Sequence, residues 1–241
     1  MKLLNSLIAI VFLTTTVKAE VDSLTILRKE FYQATEDTSA FVKIIYPQIS
    51  NFNNPSVQSK INTFLENEFM QAKSWFDDFI ADTDYTSEFP PDWVFSFETD
   101  FRVTFNSKDF LSLVLDYYEF TGGAHGNYYS IGYNIRTSDG EVLTLNDILK
   151  PNSFQALSEF CVEEILNMFE ANSLNEAGLF EDELNISEDQ DFFITPDALV
   201  IQFDPYEIAP YAMGSIEVKL KLEKIKNILK ANLPFFKSQG N

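Results

Sequence analysis

The feature that most constrains the fold is a change of hydrophobic period part-way along the chain. Val57, Ile61, Phe64, Leu65, Phe69, Ala72, Phe76 and Phe79 recur at helical spacing. From Trp93 the period drops to two, through Phe95, Phe97, Phe101, Val103 and Phe105. A helix with one apolar face is therefore followed by extended chain that needs a sheet. Asn54 is placed to cap that helix, with Pro55 in its first turn. Ahead of it, Phe41–Tyr46 reads as a strand ended by Pro47.

Further along, Asn106–Asp109 is turn-like, Phe110–Phe120 is a second strand, and Tyr129, Ile131, Tyr133 and Ile135 alternate along a third. Asp139-Gly140 marks a hairpin into Val142–Leu145, so the middle of the chain is expected to be an antiparallel meander. Asn152 and Gln155 have capping-box spacing ahead of a helix whose apolar face carries Phe154, Leu157, Cys161, Ile165 and Met168. Phe192–Thr195 and Leu199–Phe203 form an expected hairpin about Pro196-Asp197, Ile216–Leu220 a last strand and Leu222–Leu229 a closing helix. The expected class is α+β, an antiparallel meander packed against a few helices.

The amino terminus implies export. Lys2, an apolar run from Leu3 to Leu13 and the small residues Val17 and Ala19 fit a signal peptide over residues 1–19, too short to span a bilayer. No later stretch is apolar for long enough to be a membrane helix, so a periplasmic or secreted product without stable membrane insertion is expected. The formal net charge is −20, and −22 once Lys2 and Lys18 are removed. That field repels phosphate backbones, which argues against nucleic acid, and it attracts cationic partners. Cys161, the one cysteine, belongs to an apolar stripe and reads as core.

Two stretches stand out as candidate binding loops. Thr121-Gly122-Gly123-Ala124-His125-Gly126-Asn127 puts three glycines within five residues of a strand end, so a sharply shaped loop is expected there. It lacks the Lys-Ser/Thr of a phosphate loop. His125 is the only histidine, no Gly-x-Ser-x-Gly is present, and a catalytic zinc would need ligands the composition does not supply. The second stretch, Pro205-Tyr206-Glu207-Ile208-Ala209-Pro210-Tyr211, is held by two prolines and carries two tyrosines, suited either to docking a partner or to folding back as a cap on the protein's own core. Gly122, Gly123, His125, Gly126, Asn127, Pro205, Tyr206, Glu207, Pro210 and Tyr211 are thus the expected binding residues, with no catalytic residue, metal or cofactor assigned. Carboxylates such as Asp77, Asp78 and Glu181-Asp182-Glu183 read as solvated surface, and Asn185-Ile186-Ser187 is a formal glycosylation sequon.

At these residues the chain resembles a known family. Tyr118 with Thr121–Gly126, then Asn134, Gly140, Leu143, Leu145, Asp147 and Ile148, and the Pro205–Ala212 loop ahead of Gly214 are similar to the extracytoplasmic domain found in RsiV and beside the catalytic part of PdaC-type deacetylases. The segment around Phe41–Tyr46 and the helix after Asn54 resemble its usual companion. On that resemblance residues 20–112 form a companion segment and 113–237 the RsiV-like domain, the two making one compact unit. The resemblance implies an exported α+β domain and, as in RsiV, recognition of a basic lysozyme-type hydrolase, a partner the acidic charge would draw in. The expectation is therefore a binding domain rather than an enzyme. The alternative is an envelope-glycan (peptidoglycan) hydrolase or accessory enzyme, with His125 assisting a carboxylate.

Overall fold

The computed structural model describes residues 23–82 and 93–237. The expected signal peptide lies outside these residues. The elements, in order, are β1 (Thr25–Ala34), β2 (Ala40–Ser50), α1 (Pro55–Ala81), β3 (Phe95–Asn106), β4 (Phe110–Phe120), β5 (Asn127–Arg136), β6 (Glu141–Val142), α2 (Leu145–Ile148), α3 (Phe154–Met168), β7 (Phe192–Ile194), β8 (Ala198–Phe203), β9 (Ile216–Lys221), α4 (Leu222–Ile225) and α5 (Pro234–Lys237). Strands β1 to β6 form one sheet in sequence order, and β7 to β9 a second. The class is α+β.

The chain divides into two compact units, the first running to Phe101 with Leu115–Tyr128, the second comprising Arg102–Val114 and Tyr129 onward. The division falls inside β3, β4 and β5. In the first unit α1 starts where the sequence places it. The Asn54 side chain accepts a hydrogen bond from Val57 N, and Pro55 fills the first turn, where a missing N–H costs nothing. Its buried stripe is Ile61, Leu65, Phe69, Ala72 and Phe76. Phe69 meets Phe101 edge-on at 6.2 Å and Phe76 meets Phe97 at 6.0 Å. Each buried ring contributes about 1.5–3 kcal/mol. Asn62 latches the helix to β2 by accepting from Ile49 N (2.7 Å) and donating to Ile49 O (2.9 Å).

Several expectations need correction. The large sheet is mixed, because β2 runs parallel to β3 over Ala40–Ile44 while β1 and β2 are antiparallel. Pro47 does not end β2. Beyond Ile44 the registered partner of that strand among the described residues is β1 alone, so a residue lacking an N–H is tolerated there. The strand expected over Val142–Leu145 stops at Val142, because Thr144 and Asp147 form a reciprocal capping box that starts α2 at Leu145. Asn152 is not a cap. It takes a left-handed φ of 63°, and Ser153 is the N-cap of α3. The closing helix is a single turn, Leu222–Ile225, not an element reaching Leu229.

The second unit has a large apolar core in which Leu157, Cys161 and Ile165 of α3 meet Leu199, Ile201, Val218 and Leu220 of the smaller sheet. Met168 is exposed and stands outside it. Strand β5 is unusual in burying both faces. Tyr133 and Ile135 are buried as the alternation requires, yet so are Ser130 and Asn134. The polar face is covered by the chain around β7 and β8. Asn134 donates to Phe192 O at 2.7 Å, Ser112 Oγ donates to Asn134 Oδ1 at 2.8 Å, and Ile194 N donates to Ser112 Oγ at 2.9 Å. Each buried polar group in this seam has a partner, which makes the seam specific about register.

Candidate functional site

The first candidate loop, Gly122–Asn127, belongs to the first unit. Gly122 and Gly123 take φ of 105° and 101°, conformations that residues with a Cβ rarely adopt. A Cβ on Gly126 would lie 2.5 Å from Glu119 O and from the Tyr118 ring, so that glycine is fixed by close approach of the preceding strand. The His125 Nδ1–H donates to Gly126 O at 2.9 Å, closing the loop on itself. Asn127 donates to Glu119 Oε1 at 3.4 Å. Gly123, His125 and Asn127 are exposed.

The second loop, Pro205–Tyr211, belongs to the second unit and sits among more reactive chemistry. Tyr206 holds a left-handed φ of 70° and is 58% exposed. Its N–H donates to Ala209 O at 3.1 Å, and its ring lies 5.5 Å from that of Tyr211 at 35°. The exposed Tyr206 and the half-buried Tyr211 are thus presented together on a turn tightened by its own backbone. Pro210 leads into a 3-10 turn over Tyr211–Met213. Glu207 points back to the body, accepting from Asp204 N at 2.8 Å and from Gln190 Nε2 at 2.8 Å.

Beneath this loop lies a carboxylate and amide cluster that the sequence reading does not identify. Asp204 Oδ1 accepts from Ser130 N (3.0 Å) and from Gln202 Nε2 (3.3 Å), and the same amide donates to Ser130 O (2.8 Å). Asp191 Oδ1 accepts from Gly132 N at 3.2 Å. The Asp191 carboxyl is pushed up to about 6, chiefly by burial and further by the charges of Asp204 and Glu207, against the lowering effect of the Gly132 hydrogen bond. Arg102, bonded to Glu217 Oε1 at 2.6 Å and lying 4.8 Å over the Phe193 ring, reaches the cluster through Gln202 Oε1 at 3.5 Å. A carboxyl that can hold a proton beside two further acids is equipped for proton transfer near neutral pH.

Two signals for this cluster are present in the sequence. Gly132 lies on the face of β5 opposite Ile131 and Tyr133, between Ser130 and Asn134, and a glycine inside a strand marks close backbone approach. A Cβ there would lie 1.9 Å from Phe192 O. Gln202, 2% exposed, is a polar residue inside the apolar run of β8. Among the described residues, no group of three or more His, Cys, Asp and Glu is arranged to hold a metal ion. Among them also, no helix is long and apolar enough to cross a membrane.

Comparison with known proteins bears on this geometry directly. Residues 34–128 match the family model described as deacetylase PdaC, and residues 146–223 match the one described as a protein of unknown function, DUF3298. The chain carries a PdaC-type segment followed by a DUF3298 domain. The Gly122–Asn127 loop falls in the PdaC match, and the Asp191, Asp204 and Glu207 cluster in the DUF3298 match. A curated relative, the peptidoglycan-N-acetylmuramic acid deacetylase PdaC of Bacillus subtilis, is 24% identical over 184 residues, covering 74% of this chain. This chain spans only 37% of that relative's length. A DUF3298 family crystal structure from Bacteroides fragilis superposes with a TM-score of 0.71 at 17% identity, covering 89% of this chain and 96% of that one. One from Pseudomonas aeruginosa gives 0.65 at 18%, covering 87% and 95%. These two likenesses concern the fold alone. The PdaC match and the deacetylase relative overturn the expectation of a binding domain rather than an enzyme, since they tie the chain to a family named for an enzyme.

Proposed function

We propose that the chain takes part in envelope-glycan hydrolysis, as a peptidoglycan hydrolase or the accessory part of one, with Asp191 as the proton-transfer group and Tyr206 and Tyr211 as the platform for a sugar face. The observation that carries this is the placement of the largely buried Asp191 carboxyl, bonded to Gly132 N, beside Asp204 and Glu207, an environment that pushes it up to about 6. Cleavage at a sugar carbon needs an acid that still holds its proton near neutral pH and a second carboxylate that does not. A ring pair next to carboxylates, with Tyr206 exposed and Tyr211 half-buried, suits a pyranose, which offers an apolar C–H face and a rim of hydroxyls. The name of the Bacillus subtilis relative supports the same substrate class. The amino-terminal Met1–Ala19 pattern supports placement outside the cytoplasm, in the periplasm or beyond the cell. The test is incubation with purified sacculi and mass spectrometry of the released fragments. Modified glycan that Asp191→Asn no longer produces is expected; sacculi that neither change nor retain the protein would refute the reading.

A second reading is favoured by the net charge of −20 and by the tyrosine pair: recognition of a basic lysozyme-type hydrolase. It requires a complex with lysozyme that weakens steeply as salt rises. Absence of a complex at low salt removes it.

A further inference from the structure

A groove of about 790 Å³ in the second unit lies apart from the Asp191 cluster, between α3 and the irregular segment around residues 182–186. Its walls combine two kinds of surface. Val162, Leu166 and Leu184 supply partly buried apolar side chains, while Glu159, Glu163, Asp182 and Glu183 supply carboxylates on both sides. Ser158 Oγ accepts from Ile186 N at 2.9 Å, which ties the segment to the helix and sets the width of the groove. One carboxylate is already compensated: Lys224 Nζ lies 2.9 Å from Glu163. Glu159 accepts only a neutral amide hydrogen bond from Gln155, and Asp182 one from Asn175. Glu183 has no partner among the described residues. The groove therefore carries three uncompensated acids above an apolar floor.

Resting on the reading that the chain works on envelope glycan, we infer that this groove binds a glycan strand carrying free amines, the form that N-deacetylation leaves. Such a strand meets both surfaces. Its ring faces are apolar C–H surfaces that pack on Val162, Leu166 and Leu184, and its ammonium groups pair with the acids. Glu159 lines the helix wall while Asp182 and Glu183 line the wall opposite, so a strand lying in the groove has an uncompensated acid on either side. An acetylated strand offers amides in place of ammonium groups and leaves the acids without a counter-charge. The groove thus discriminates product from substrate of a deacetylation, and would hold the protein on glycan already processed.

The experiment compares a glucosamine hexasaccharide with its N-acetylated counterpart in mildly acidic buffer, where the sugar amines are protonated. The purified protein is expected to bind the amine form about tenfold more tightly. The double variant Glu159→Gln/Glu183→Gln is expected to lose that preference while keeping its melting temperature and its turnover of sacculi. Equal affinity for the two sugars, binding of neither, or a preference that survives the double variant overturns the inference. So does binding of polylysine with no preference between the sugars, which would make this a site for basic polypeptide. Loss of sacculus turnover in Asp191→Asn is scored separately, so failure of the groove and failure of the glycan reading are distinguishable.

Discussion

Gly132→Ala tests the seam on which the Asp191 cluster is built. A Cβ at this position would lie 1.9 Å from Phe192 O and 2.7 Å from Phe192 C, where ordinary contact begins at 3.4 Å. The chain before β7 would have to retreat by about 1.5 Å, the difference between 3.4 and 1.9 Å. Both groups that clash are backbone, so no side-chain rotation relieves the overlap. Overpacking of this kind costs about 1–3 kcal/mol. The displacement also pulls Asp191 away from Gly132 N and Phe192 O away from Asn134, and each such bond adds roughly 1 kcal/mol or more. The total is about 3–5 kcal/mol, or roughly a 6–20 °C fall in melting temperature for a domain of this size. The assay is thermal unfolding followed by circular dichroism. Gly123→Ala is the control. A Cβ there meets nothing within 4 Å, so only its left-handed φ is penalised, by about 1–2 kcal/mol. A Gly132→Ala protein as stable as its parent would refute the reasoning.

The raised Asp191 carboxyl also makes stability depend on pH. Its folded value lies above the ordinary 3.8, so the stability it contributes is present below 3.8 and lost as pH rises to about 6. Asp191→Asn should therefore stabilise the fold above that range, by at most about 3 kcal/mol, and make no difference below it; a parent-like denaturation midpoint at neutral pH would count against the assigned environment. The Cys161 thiol, pushed up to about 12 by burial, should resist thiol reagents until the chain is unfolded, and rapid labelling in native buffer would contradict its place in the core. Tyr206→Ala should change stability by less than about 0.5 kcal/mol yet weaken retention on sacculi, because the ring is exposed; unchanged retention would remove it from the platform.

Much of the fold is legible because its signals are local. Asn54-Pro55 fixes the start of α1, the Pro196-Asp197 turn fixes the β7–β8 hairpin, and the aromatic alternation marks β3. Where the reading fails, a second local signal or a distant partner decides. Thr144 and Asp147 compete with the strand pattern and win at Leu145, since a satisfied cap outweighs β propensity over two residues. Pro47 depends on how far β3 extends alongside β2, which local sequence does not state.

The candidate site was harder to read for the same reason. The two loops are visible in their glycines, prolines and tyrosines. Asp191 is one of 37 acidic residues, and nothing adjacent to it in sequence distinguishes it. Its environment comes from Gly132, 59 residues away, and from burial beneath the loop after β8. The glycine inside β5 and the glutamine inside β8 were its traces in the sequence, and each becomes informative only when the two strands are brought together.

The most direct test of the glycan reading is the rate of sacculus turnover as a function of pH, for the parent and for Asp191→Asn. The account predicts turnover that declines as an ionisation near 6 removes the acid proton, and a variant in which that turnover is lost at every pH. Turnover that is flat across the range, or that persists in the variant with the parent's profile, would contradict it.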